Sequence, residues 1–472
     1  MARAVVIGGG IVGLSTAMLL GKDGHDVTVL ERDPQAPPDD IGSTWPEWER
    51  RSVGQFRMLH FFLARFRQEM QAELPDVISE FDALGAKRYN VVTEAPAELT
   101  GGTQPGDEEY EVITARRPVG ESALVRVASR MPNISIRRGV VIKALLTDDT
   151  TSGDIPHVVG VRTDDGEEVR ADFVVDASGR RSALPALIAA AGGRPPEEEV
   201  DDCGFIYYGR HFRSNDGSTP FVMGPLLTSY GSVSTLTLPA DNGTWGIGVI
   251  TSARDTAMRG LKDVDTWMRT VKAFPLAAHW LDGEPIDDGI AIMAKIEDRH
   301  RSFVVDGAPV ATGLFPVGDS WACTNPSVGR GMSIGLLHAL ALRDLLRDGP
   351  TDDPIALAQA WHDATMAIVE PWYRATLSFD RHRLAEAEAF IAGVPYETDD
   401  PTWEITQALQ YGSSRDPDVF RAFLKVVNLQ AFPEDLLAQP GLFEKVVEAG
   451  QGWRDAPALG PDRDELVKIV AA

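Results

Sequence analysis

Gly8, Gly10 and Gly13 stand in the spacing G-x-G-x-x-G, and a carboxylate, Glu31, follows about 20 residues on. This arrangement suits a dinucleotide. Gly8 permits a tight turn, Gly10 lets the backbone approach a pyrophosphate, and Gly13 lets a helix pack closely on a strand. A helix starting there turns unpaired N–H groups and a positive dipole end toward the phosphates. Glu31 can accept from ribose hydroxyls, and Arg32 beside it is assigned to the same site. The motif alone does not separate NAD from FAD. No Ser/His/Asp nucleophile motif is evident, so the catalytic side chains stay unidentified, with His60 and His211 as weak candidates. Cys203 and Cys323 lack metal-ligand spacing, and no metal site is expected.

These residues need a strand, a turn and a helix to hold them. Ala4-Val5-Val6-Ile7 is a continuous apolar run of the kind buried on both faces of a parallel sheet. Residues 14–20 read as a helix and residues 27–30 as a second strand ending at Glu31. Two later segments share this style. Residues 171–182 run from an apolar strand into Asp176-Ala177-Ser178-Gly179-Arg180. Residues 313–333 pass through Gly318-Asp319 and a loop with Pro326, Gly329, Gly331 and Met332 into a helix over 334–346. Here Ile334, Leu337, Ala341 and Leu345 share one face. Residues 205–212, 232–238 and 243–251 read as an antiparallel sheet. Helices are expected over 354–376, 381–391, 417–428 and 435–448, with Pro371 kinking or breaking the first. The acidic runs at 107–109 and 197–199 read as solvated loop ends.

Taken together, the Gly-rich turn, the D-x-x-G segment at Asp176–Gly179 and the G-D segment at Gly318–Asp319 resemble the FAD-dependent monooxygenases of the p-hydroxybenzoate hydroxylase type. The resemblance covers roughly residues 1–350. The string from Gly318 to Ser333, and Arg51-Ser52-Val53-Gly54-Gln55-Phe56-Arg57-Met58-Leu59-His60, are similar to the epoxidases of polyether-antibiotic biosynthesis. Thr114-Ala115-Arg116-Arg117-Pro118 looks like the family's flavin-contacting arginine, Arg117 fitting best and Arg116 second.

The resemblance implies an α/β fold: a Rossmann-like FAD domain of the glutathione-reductase type with an inserted antiparallel substrate sheet and a C-terminal helical region. The expected divisions are 1–185 and 291–350 for the FAD domain, 186–290 for the sheet and 351–472 for the helices. It places Arg51, Gln55 and Arg117 with the glycines, Asp176, Asp319 and Pro326 around FAD, and collects Arg57, Arg116, Arg180 and Arg330 there too. It implies transfer of one oxygen atom from O2 to a hydrophobic small molecule, by hydroxylation or epoxidation through a C4a-hydroperoxyflavin, in secondary metabolism. NAD(P)H would be the reductant, directly or through a flavin reductase. Phe205, Tyr207, Phe221 and Trp245 would line the substrate cavity if their strand faces point inward, a plain sheet core being the favoured reading for each, and Trp321 could line the flavin pocket or serve packing alone. A flavin reductase or dehydrogenase acting on a C–C bond, and a flavin-binding protein without turnover, are the alternatives.

The composition is that of a globular protein and not a disordered one. The 472 residues are 43% apolar and 24% charged. With 45 Lys and Arg against 70 Asp and Glu the net charge is −25, which disfavours nucleic-acid partners and anionic lipid surfaces. The sequence shows no integral membrane segment or targeting signal, and a cytoplasmic location is expected.

Overall fold

The computed structural model describes residues 1–148, 155–456 and 459–472. At its centre is a parallel five-stranded sheet in the order Leu314–Pro316, Phe173–Asp176, Arg3–Ile7, Asp26–Glu31, Ile134–Arg138. The unbroken apolar run at the start is explained by burial on both faces. Ala4 and Val6 join one core with Leu14, Phe315 and Leu342. Val5 and Ile7 point the other way, into a cluster with Leu145, Val158 and Val161. Helix Ile11–Lys22 covers the first face and packs against helices Gly331–Asp348 and Arg117–Arg130. A small antiparallel sheet, Ile142–Asp148, His157–Thr163 and Glu168–Arg170, covers the second.

The larger antiparallel sheet runs Leu227–Tyr230, Val233–Pro239, Thr244–Ser252, Phe205–Arg213, Glu284–Pro285, with Ala291–Met293 also pairing to Phe205–Arg213. Its period of two separates two environments. Tyr208, Phe212, Trp245 and Val249 face a back layer holding Trp267, Phe274, Trp280 and the C-terminal helix Arg463–Ala471. Phe205, Tyr207 and Ile250 face the other way. Trp245 therefore belongs to the back core, where its Nε1–H donates to the Trp280 carbonyl at 2.7 Å, and not to a cavity.

The acidic run at 197–199 is solvent-exposed as expected but lies on a strand instead of a loop end, and in the run at 107–109 Asp107 is buried. Glu197–Asp202 is a strand paired antiparallel with Glu297–Ser302. Its charges are met across the sheet and by a helix: Arg301 binds Glu198 at 2.6 Å and Arg374 binds Glu199 at 2.7 Å. Asp107 is buried and held by Arg421 at 2.8 Å. Sequence order hides both sets of partners because they come from distant segments. The C-terminal helices Pro354–Ile368 and Glu370–Ala392 meet at Val369, and Pro371 opens the second, where its missing N–H costs nothing. Among the described residues no helix is long and apolar enough to cross a membrane.

Candidate functional site

A cleft of ≈ 610 Å³ opens at the carboxyl ends of the parallel strands, where ligands bind in doubly wound sheets. Its walls include Gly8, Gly10, Glu31, Arg32, Gln55, Arg117, Asp176, Gly179, Gly318, Asp319, Pro326, Gly329, Gly331 and Met332. Gly13 lies behind the wall and does the packing expected of it: a Cβ there would stand 2.0 Å from the Gly8 carbonyl oxygen. Gly8 has φ +103°, and a Cβ there would stand 2.5 Å from the Ala177 oxygen. Gly10 differs, with no heavy atom of the described residues within 4 Å of its notional Cβ. The turn is thus closed around itself and open at the one position where a pyrophosphate would approach.

Arg51 does not join the cleft. Its side chain is 90% exposed and, among the described residues, reaches only Glu49, at 3.7 Å. The preceding residue, Arg50, is the buried one. It bonds Glu31 at 2.6 Å, Asp33 at 3.1 Å, the Gly9 carbonyl at 3.2 Å and Glu121. Glu31 also accepts from the Gly9 and Asp33 N–H groups at 2.7 and 2.8 Å, which holds the glycine turn against the second strand. Burial works against the Arg50 charge, but Glu121 and Glu31 more than offset it and its pKa is raised.

The two adjacent arginines at the next helix separate cleanly. Arg116 turns away to Asp241, with backbone and side-chain donors at 2.5–3.1 Å. Arg117 faces the cleft, held by Glu121 at 2.7 Å and donating to His60 Nε2 at 3.2 Å. His60 in turn donates from Nδ1 to the Met58 carbonyl at 2.9 Å, the tautomer this network requires. Burial, with Arg117 adding to it, lowers its pKa to about 3. His60 is a neutral ring with both nitrogens engaged, so it orients Arg117 and is not poised as a general acid or base.

His211 is a partnered strand histidine and does not reach a cavity. It shares a strand face with Tyr207 but lies further along, covered by Trp45 at 4.6 Å and paired with Asp287 at 3.3 Å. It touches neither the cleft nor the second cavity described below. Arg57 likewise stacks over Trp45 at 4.5 Å and donates to the Trp48 carbonyl at 2.8 Å. Arg180 does line the cleft and ties Gly179 to the loop that follows Asp319 through the Thr324 carbonyl at 2.8 Å. Cys323 is buried between strands, its thiol pushed up to about 11 by burial, which leaves no thiolate for redox work.

Asp176 accepts from Ser178 N–H at 3.0 Å and from the Ser182 hydroxyl, shaping the second turn, and burial raises its pKa. Asp319 is different. Burial raises its pKa, Arg180 and Arg117 partly countering, yet among the described residues its carboxylate takes no hydrogen bond. An unmet acceptor facing a cleft beside an open glycine turn fits a ligand with hydroxyl donors, such as the ribityl chain of FAD. Asp319→Ala is expected to weaken FAD binding by about 1.5–3 kcal/mol. An unchanged dissociation constant, titrated by flavin fluorescence, removes Asp319 from the site.

Three residues escaped the sequence reading. Arg50 is one position from the expected Arg51, and Glu121 has only an i,i+4 spacing from Arg117 to mark it. His338 has no local signal. It is fully buried, accepts from the Gly318 N–H at 3.1 Å, donates to Thr365 at 3.1 Å and stacks on Trp361 at 4.6 Å. It fixes the turn that presents Asp319. Trp321 lines the cleft beside it.

A second cavity of ≈ 580 Å³ adjoins the first. Leu59, Phe61, Leu236, Ile250, Pro326, Ser327 and Gly329 line both. Its remaining wall is largely apolar: Phe205, Phe221 and Leu238 from the sheet side, and Trp372, Phe379, Trp403 and Phe432 from the C-terminal helices. Tyr207 lies on the first cavity, its hydroxyl bonded to Asn325 and Ser327 of the loop between the two. Among the described residues no cluster of His, Cys, Asp and Glu could hold a metal ion.

Comparison with known proteins agrees with this geometry. A family model for FAD dependent oxidoreductases matches residues 3–82, and one for tryptophan halogenases matches residues 50–192. Protein Rv3254 of Mycobacterium tuberculosis is 29% identical over 369 residues, covering 73% of this chain and 73% of that protein. Squalene monooxygenase of Rattus norvegicus is 23% identical over 369 residues, which are 76% of this chain but 57% of the relative. The crystal structure of p-nitrophenol 4-monooxygenase PnpA from Pseudomonas putida DLL-E4 superposes with a TM-score of 0.58 at 17% identity, covering 91% of this chain and 99% of that one. By its motifs, its cleft and these likenesses, the chain carries an FAD-dependent oxidoreductase domain, matched at residues 3–82, and shares the fold of the FAD-dependent monooxygenases.

Proposed function

We propose that the protein transfers one oxygen atom from O2 to a hydrophobic small molecule, by hydroxylation or epoxidation. The observation that carries this reading is the apolar cavity joined to the flavin cleft at Pro326, Ser327 and Gly329. A cofactor in the first space and an apolar substrate in the second would meet at that loop.

FAD, when bound, supplies two-electron chemistry and the activation of O2. The chain's own residues do the rest. Arg50, Glu31 and the glycine turn hold the dinucleotide end. Glu121 and His60 aim Arg117 into the cleft. Helix Gly331–Asp348 begins at the cleft wall and offers its positive N-terminal end to negative charge there. The apolar wall of the second cavity excludes water from the reacting region.

The electron balance needs two electrons from a donor, with one oxygen atom entering product and the other leaving as water. NAD(P)H, directly or through a flavin reductase, is the donor we assign. Anaerobic stopped-flow mixing with NADPH distinguishes the routes, since prompt flavin bleaching means direct reduction. With a turned-over substrate, labelled oxygen is expected in product at one atom per O2 consumed. Turnover under strict anaerobiosis with an artificial acceptor would instead favour a C–C reductase or dehydrogenase. Flavin that no nicotinamide or reductase can reduce would favour a binding protein without turnover. Halogenation is disfavoured despite the match over 50–192. The W-x-W-x-I-P motif is absent, and the nearest string, residues 243–248, has one tryptophan, Trp245, turned into the back core.

A further inference from the structure

The second cavity is not uniformly apolar. Helix Glu370–Ala392 lays Trp372, Ala375, Phe379, Arg383 and Glu386 along its wall at spacings of three and four, one face of the helix. Arg383 is already committed: it binds Asp380 at 3.0 Å and lies over the rings of Phe205 and Phe379 at 5.3 and 5.7 Å. Glu386 is not. It lines the cavity half-buried, and among the described residues its carboxylate takes no hydrogen bond and forms no ion pair. Burial raises its pKa, with Arg383 and His382 pulling the other way. Gln407, on helix Pro401–Gly412, lines the same cavity, again with no side-chain partner among the described residues. Both side chains are half-buried, so a ligand donor on this otherwise apolar wall would exchange a solvent hydrogen bond for one in a drier, less polar setting.

We propose that Glu386 is the specificity-determining anchor of this cavity, selecting elongated apolar molecules that carry one hydrogen-bond-donating head, an amine or a hydroxyl. On the same helix Asp380 faces Asn325, at the start of the loop shared by the two cavities, and Glu386 lies six residues on, about 9 Å at the helical rise. The head is thus held away from the loop and the hydrocarbon end is directed toward it. This rests on the reading of the cavity as the substrate site.

Decylamine, 1-decanol and decyl methyl ether share an apolar chain and differ in the head, since only the first two can donate. Trp372 and Trp403 line the cavity, so quenching of tryptophan fluorescence in the holoprotein reports binding. The amine and the alcohol are expected to bind about tenfold or more tightly than the ether. Glu386→Leu should abolish that gap while leaving ether binding within about twofold. The amine losing far more than the alcohol in Glu386→Gln identifies a cationic head, and comparable small losses identify a hydroxyl. Three equal affinities in the wild type, or a gap that survives Glu386→Leu, overturns the anchor while the substrate cavity stands. Failure of all three probes to bind, with FAD still retained, overturns the cavity assignment and the anchor with it.

Discussion

Gly10→Val is expected to fold normally and to purify without FAD. Two observations separate these effects. Gly10 has φ −83° and ψ −174°, an extended conformation that valine adopts readily. Among the described residues no heavy atom lies within 4 Å of its notional Cβ, so the side chain enters space that they leave free. The same volume is where a pyrophosphate must approach the helix N-terminus. Affinity for FAD should fall about 100-fold or more, about 2.8 kcal/mol. The flavin-free variant should unfold in urea within about 1 kcal/mol of flavin-free wild type. Gly13→Ala makes the contrast, because its Cβ would collide with the Gly8 carbonyl and disturb the fold itself. Stoichiometric flavin in purified Gly10→Val would remove the phosphate loop from this turn.

The second large effect is on stability. Glu121 is fully buried and carries two arginines, Arg50 and Arg117, at once. Truncation leaves both cations short of a partner in the interior, and breaking a buried pair in this way costs about 3–5 kcal/mol. Glu121→Ala should lose that much in urea unfolding of the flavin-free protein, and Glu121→Gln less, because it keeps an acceptor. The pH dependence has a defined sign. Burial alone would raise the Glu121 pKa, but Arg50 and Arg117 outweigh it and hold the group below its ordinary value. A depressed carboxylate contributes stability above its unfolded pKa and loses it as pH falls through the folded one. The gap between wild type and Glu121→Gln should therefore narrow as pH drops from about 4.3 toward the depressed value. A gap that stays constant through that window would mean the arginines are satisfied by other groups, such as Asp33 and Glu31 at Arg50.

The sequence alone determined the parts of this protein that obey local rules. Spacing and turn chemistry located the Gly8–Gly13 loop, Glu31, the Asp176–Gly179 turn and the Gly318–Asp319 segment, all of which come to one cleft. Glycine and carboxylate motifs are legible because they answer to backbone geometry within a few residues. Helix Pro354–Ile368 ended before Pro371 for the same local reason.

The tertiary structure alone decided which of two neighbouring arginines turned inward. Arg50 replaced Arg51 because Glu31, Asp33 and Glu121, scattered along the chain, converge on it. Arg117 was separated from Arg116 by Asp241, a residue of the distant turn between strands Val233–Pro239 and Thr244–Ser252. His211 and Trp245 were lost to the core because Trp45 and the back-layer helices cover them, and no periodicity within their own strands records that. A strand's alternation says that a side chain faces one side. Only the packing of remote segments says whether that side is a cavity, and a buried charge is placed by partners that the chain brings together last.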